Sequence, residues 1–125
     1  MTHGRWFAMV VAALCALTGD ARGDQRVACA IEGGVLKGCD PVIRVARGQR
    51  VDIVWTSDVP CELHLHGYDL TVKPGPDAPV TLSFVAAMTG RFPMELHDTT
   101  KRTDKKERGS RHAHRPLLHV EVLPP

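Results

Sequence analysis

From residue 27 onward, apolar residues recur at every second position in run after run. Val27, Cys29 and Ile31 form one such run, and Val51, Ile53 and Trp55 form another. Leu63 and Leu65; Val80, Leu82 and Phe84; Phe92, Met94 and Leu96; and Leu118, Val120 and Val122 repeat the pattern. Successive side chains of a strand point to opposite faces, so a period of two predicts strands with one buried face. Between the runs lie Gly33-Gly34, residues 38–41, Arg47-Gly48-Gln49, residues 57–60 and Lys73-Pro74-Gly75-Pro76, all rich in residues that turn the backbone. No helical stripe exceeds the single turn that Ala86-Ala87-Met88 could make, and no internal repeat is present. Six short strands within about a hundred residues predict an all-β sandwich.

The first residues break this pattern. Arg5, an unbroken apolar run over residues 6–17 and the small residues Gly19, Ala21 and Gly23 predict a secretory signal peptide over residues 1–23. Cleavage after Ala21 and cleavage after Gly23 both fit. The apolar run is too short to span a bilayer, so no membrane span is expected after its removal. Residues 24–125 then form one domain, expected in the periplasm or outside the cell.

Charge adds one local feature. The chain carries a formal +2; loss of the leader removes two basic residues and one acid and leaves +1, a balance that does not call for nucleic acid. Residues 98–116 hold seven Lys/Arg and three Asp/Glu without apolar periodicity. Such a stretch is expected as a solvated flexible loop inserted between the last two strands, with docking of a protein partner as the alternative. Three cysteines follow the leader. Cys29 and Cys39 flank a turn-rich region and are the expected disulfide in an oxidising compartment, although Cys61 with either partner is also compatible with the sequence. If Cys61 is left over, its spacing with Leu63 predicts a buried, inert thiol.

The chemistry lies in the histidines. With Leu63 and Leu65 inward, Glu62 and His64 point outward and His66 falls near the strand end, just before Gly67. With Phe92, Met94 and Leu96 inward, His97 falls at the end of its strand. Two strand ends can meet at one pole of a sandwich, where imidazoles hold a transition metal. His66, His97 and His64 are therefore the candidate ligands, with His112 and His114 of the basic segment as additional ones. His119, between Leu118 and Val120, is expected as an exposed strand histidine, and Met94 as a core residue. Glu62 and Glu95 are expected in solvent, the alternative being that they orient a histidine ring. Asp69 is expected to hold its turn through backbone N–H groups.

Residues 45–48, residues 51–58, the His64-Leu65-His66-Gly67-Tyr68-Asp69 run, Lys73-Pro74-Gly75, Leu82-Ser83-Phe84, Gly90-Arg91-Phe92 and residues 117–124 together resemble the cupredoxin superfamily. The similarity is to small exported cupredoxin-like domains with a His-x-His-Gly-Tyr-Asp segment. It implies a Greek-key β-sandwich with copper at one end, the middle-strand histidine being His66 or His64 and the late-strand histidine His97. One departure is decisive for function. In the blue-copper pattern a cysteine ends the penultimate strand, and Leu96 stands at that position here. No Cys follows Cys61 and no Met follows Met94, so the thiolate that makes a blue electron-transfer site is missing.

The expected function is therefore copper storage, delivery or buffering, with Cu(II) favoured by imidazole donors. The alternatives are a metal-free binding module and, behind it, an electron carrier. The His64-Leu65-His66-Gly67 element is similar to one in multicopper oxidases. Those enzymes assemble their copper sites from more than one domain, so no enzyme activity is expected.

Overall fold

The alternating runs close into two facing sheets. A computed structural model describes residues 23–97 and 116–125, and these form nine strands and no helix. They are β1 (Gln25–Glu32), β2 (Val35–Lys37), β3 (Val42–Ala46), β4 (Arg50–Ser57), β5 (Glu62–Leu65), β6 (Leu70–Val72), β7 (Val80–Val85), β8 (Gly90–His97) and β9 (Pro116–Leu123). One sheet has the order β2-β1-β4-β7 and the other β3-β9-β8-β5-β6. The pairs β1/β4 and β3/β9 are parallel, and the remaining pairs are antiparallel. Strands next to each other in sequence repeatedly fall in different sheets, which is Greek-key connectivity. Residues 1–22, nearly all of the expected leader, and residues 98–115 of the basic segment, including His112 and His114, lie outside the described residues.

The inward positions are those of the sequence pattern. Val51, Ile53 and Trp55 of β4, Leu63 and Leu65 of β5, Met94 of β8 and Val120 of β9 are all fully buried. Burying each such side chain contributes on the order of 1.5–3 kcal/mol relative to leaving it in water. Three strands escaped the alternation. β2 and β6 have three residues each, too few to show a period, and in β3 the adjacent Val42 and Ile43 blur it. All three lie at sheet edges, where short strands limit pairing with other chains.

Cys29 on β1 and Cys39, just past β2, are joined by a disulfide. Cys61 is a buried thiol at the start of β5, its Sγ 3.6 Å from Ser57 Oγ. A covalent loop of separation 10 stabilises chiefly by restricting the unfolded chain. Cys39→Ser is expected to cost about 2–3 kcal/mol, read as a lower urea midpoint. Cys39 is only partly buried, so serine is tolerated there and the loss reports the bridge. An unchanged midpoint would show that the β1/β2 hairpin needs no staple.

Candidate metal centre

The turn after β5 is fixed by packing as well as by sequence. Gly67 has φ +85°, and a Cβ placed there would lie 2.3 Å from the Phe92 ring. Tyr68 packs edge-on against Phe92 with ring centroids 4.8 Å apart, and tilted against Phe84 at 4.9 Å. Its hydroxyl donates to the Met88 carbonyl at 3.0 Å and accepts from the Met88 N–H at 3.1 Å. Asp69 also takes a left-handed backbone, φ +53°, which aspartate tolerates better than most residues. Gly67→Ala must strain the backbone and displace Phe92, so a loss of at least about 2 kcal/mol is expected in thermal or urea unfolding. A loss under about 0.5 kcal/mol would show that the ring moves aside at little cost.

This turn sets the direction of His66. Its backbone N–H donates to the Pro93 carbonyl at 3.0 Å, extending the β5/β8 ladder one residue beyond the strand. On that ladder Glu62 faces His97, Leu63 faces Leu96, His64 faces Glu95 and Leu65 faces Met94. The leucines and Met94 point into the core. His64, His66, Glu95 and His97 therefore share the outer face of the five-stranded sheet.

Glu95 sits at the middle of that group. Its Oε2 lies 2.9 Å from His66 Nε2 and 3.9 Å from His97 Nε2. The 2.9 Å approach is off the direction a hydrogen bond requires. Among the described residues His66 Nε2 thus has no hydrogen-bond partner and is a buried nitrogen, although the rest of its side chain is well exposed. When the ring is protonated, the two groups form an ion pair. When it is neutral, a buried nitrogen stands against an anion without hydrogen bonding to it. His64 stacks at a tilt on His66 with ring centroids 4.3 Å apart, and its Nε2 is 3.0 Å from Asp69 Oδ1. In the neutral ring Nε2–H donates to that carboxylate, which leaves the lone pair on Nδ1.

The structure places several expected residues differently. β5 and β8 are antiparallel, so His66 and His97 lie toward opposite ends of the ladder rather than at one pole. What brings them together is the Glu95 side chain on the sheet face. Glu95 was expected in solvent, yet its side chain is only 20% exposed. Glu62 is likewise half-buried, 3.8 Å from Lys73 Nζ. The Asp69 carboxylate contacts the His64 ring rather than serving only its own turn. His119 is partly buried on the same face but pairs with Pro93, a strand further from the cluster. The register with β9 also slips between Met94 and Glu95, leaving Leu117 without a partner on β8. Such a bulge re-aims neighbouring side chains and often lies beside a site. Sequence spacing offers Glu95 only as the alternative partner of some histidine ring, because which rings it meets depends on the cross-strand register.

Among the described residues no group of three or more His, Cys, Asp or Glu is placed so that it could hold a metal ion. The rings of His66 and His97 are gathered instead by their contacts with the Glu95 carboxylate.

Solved structures of known proteins share this architecture. A chain of a heme-copper terminal oxidase dimer superposes with TM-score 0.57 at 22% identity, over 81% of this chain and 66% of its own length. The periplasmic domain of subunit II of cytochrome oxidase (CoxB) of Bradyrhizobium japonicum gives TM-score 0.57 at 16% identity, over 81% of this chain and 85% of that domain. The chain has a cupredoxin fold. A third cupredoxin-fold match, Blue Copper Oxidase from Nitrosomonas europaea, has TM-score 0.55 at 16% identity, over 82% of this chain but only 39% of the oxidase. No protein-family model and no curated protein matches the sequence. At such identities the likeness is one of fold. The blue-copper donor set does not fit this cupredoxin-like domain, because Leu96 packs against the core where the thiolate would stand.

Proposed function

We propose that this chain is an exported copper-binding cupredoxin-like protein that stores, delivers or buffers the metal and is not itself an enzyme. His66 and His97 would hold the ion, with His64 beside them; bound there, the metal would be cargo. The observation that carries this reading is the buried Nε2 of His66, which has no hydrogen-bond partner among the described residues and stands against a carboxylate. A buried polar atom of that kind calls for a missing partner, and a cation would supply one to the imidazole nitrogen. Imidazole donors suit Cu(II), and the general affinity order places copper above zinc. The names of the fold relatives, a heme-copper oxidase and a blue copper oxidase, support copper as the metal. With leucine at the thiolate position, an electron carrier of the blue type is the weaker reading.

Export is supported by the basic, apolar and small-residue start of the chain and by a fold relative that is a periplasmic domain. No helix among the described residues is long and apolar enough to cross a membrane. The basic segment over residues 98–116 would serve as the docking surface for a protein partner that receives or supplies the metal.

A metal-free binding module is the second reading, favoured by the lack of a closed three-donor group among the described residues. Titration of residues 24–125 with Cu(II), Cu(I) and Zn(II), followed by visible absorption and paramagnetic resonance, separates the two. Binding of about one Cu(II) with weak d–d absorption and no intense copper–thiolate band is expected. No saturable binding of any ion would leave the metal-free module.

A further inference from the structure

The two sheets present four edges, β2 and β7 in one and β3 and β6 in the other. An open edge invites another strand, and proteins blunt it with short strands or charge. β2 has three residues and ends in Lys37; β6 has three and is followed by Lys73. β3 carries Arg44 at its middle, 3.4 Å from Glu121 of β9. β7 is different. It has six residues, Val80-Thr81-Leu82-Ser83-Phe84-Val85, with no charge, proline or glycine and an unbroken register against β4. Such a segment has the composition that pairs edge to edge. We propose that β7 is a self-association surface, where two copies of this chain join β7 to β7 antiparallel about a two-fold axis at Ser83. This surface is independent of the copper reading.

Backbone geometry determines which groups the edge offers. The Ala86 N–H donates to the Gln49 carbonyl at 2.9 Å, and the Ala86 carbonyl accepts from the Gly48 N–H at 2.8 Å. Ala86 therefore turns its backbone groups toward the β4 side, and Phe84, Leu82 and Val80 do the same by alternation along the ladder. Thr81, Ser83 and Val85 turn theirs the other way, where no described strand pairs with them. The Val85 carbonyl already accepts from the Ala87 N–H at 2.8 Å. That leaves the N–H groups of Thr81, Ser83 and Val85 and the carbonyls of Thr81 and Ser83. All three residues are exposed, Val85 by 54%.

With Ser83 on the axis, Ser83 faces Ser83 of the second copy and the two exchange both backbone hydrogen bonds. Thr81 faces Val85 of the second copy, whose N–H reaches the Thr81 carbonyl. Every side chain keeps its face in this register: Thr81 and Val85, both β-branched, meet on the outer face, and Leu82 meets Phe84 on the core side. Charge decides the occupant. A two-fold axis sets a surface against itself, so a charged edge repels its own copy, whereas a different partner is ordinarily chosen by opposite charge. Residues 78–90 contain no Asp, Glu, Lys, Arg or His. The outward charges of the neighbouring strand, Arg50 and Asp52, lie 3.7 Å from each other and stand one strand back from the edge. Growth stops at two copies, because the joined sheet ends on both sides in β2, the short edge closed by Lys37.

The test is analytical ultracentrifugation of the mature protein over a range of concentrations, with a chelator present to exclude bridging by metal. One pair of strands covers less than the about 1,200–2,000 Å² of a standard interface, so a reversible dimer with a dissociation constant of about 10–500 µM is expected. Residue-resolved amide exchange should show the N–H groups of Thr81, Ser83 and Val85 slowing as concentration rises, and those of β3 and β6 unchanged. Ser83→Lys meets Asp52 within its own sheet but sets like charges against each other across the axis, and should weaken the dimer at least tenfold. Ser83→Pro deletes the outward N–H, leaves the β4 ladder intact and should weaken it as much. Thr56→Lys adds the same charge at an exposed position of β4 and should change association less than twofold. If one Ser83 variant fails to fold, the other carries the comparison, and the wild-type exchange profile decides if neither folds. A wild type that stays monomeric throughout overturns the proposal. A dimer that neither Ser83 variant weakens, or one that leaves the Thr81, Ser83 and Val85 amides unprotected, overturns it too, because the contact then lies elsewhere. Assemblies larger than a dimer overturn the two-fold closure. None of these results bears on the copper titration.

Discussion

Replacing His66 by alanine should weaken Cu(II) binding at least tenfold, about 1.4 kcal/mol, and His97→Ala should do the same. His66 supplies the buried nitrogen that has no hydrogen-bond partner among the described residues, and His97 the second imidazole facing the same carboxylate oxygen. His119→Ala provides the control. On the ladder, His119 faces Pro93 and lies two strands from β5, about 10 Å away at the usual strand spacing, so its loss should leave the affinity unchanged. Competition with a chelator of known affinity gives the numbers, and nitrogen hyperfine structure in the resonance spectrum should diminish with each lost imidazole. Unchanged affinity in both alanine variants would favour the metal-free module or a site elsewhere in the chain.

Trp55→Ala should bring the largest loss of stability, about 3–5 kcal/mol. Trp55 is fully buried on β4, paired with Cys29 of β1 on one side and Val80 of β7 on the other. A loss of that size is a large part of the 5–15 kcal/mol that ordinarily holds a domain together. The indole Nε1 has no hydrogen-bond partner among the described residues. Trp55→Phe therefore removes an unsatisfied donor together with some volume, and its cost should be less than half that of alanine. Urea unfolding of the three proteins checks both figures. A phenylalanine variant as unstable as alanine would mean that the donor is satisfied by water.

The sandwich was legible because its central strands are buried on one face only. Val51-Ile53-Trp55 and Phe92-Met94-Leu96 announce themselves by period two, and the core contains them. β2 and β6 were not legible, since three residues cannot display a period, and neither was the parallel pairing of β3 with β9, which depends on contacts between distant parts of the chain. At the candidate centre, outward-pointing His64 and strand-terminal His66 and His97 follow from the alternation alone. Their common neighbour does not. Glu95 is an ordinary surface glutamate by spacing, and it becomes the middle of the group only once β5 and β8 run antiparallel with His64 facing it. The same antiparallel direction rules out a meeting of the two strand ends at one pole.

The position of β9 in its sheet has a consequence for the order of events during synthesis. It lies between β3 and β8, so the five-stranded sheet lacks an interior member until residues 116–123 have been made. The partners β3 and β9 are separated by most of the chain, and contacts of such range form slowly because a long loop must close first. At roughly 5–20 residues per second the ribosome releases the earlier strands seconds before the last one. During that interval β8 has a neighbour on one side only. His64, His66, Glu95 and His97 belong to the β5/β8 pair, which can form in that interval, whereas the other edge of β8 stays open to pairing until residues 116–123 have been made.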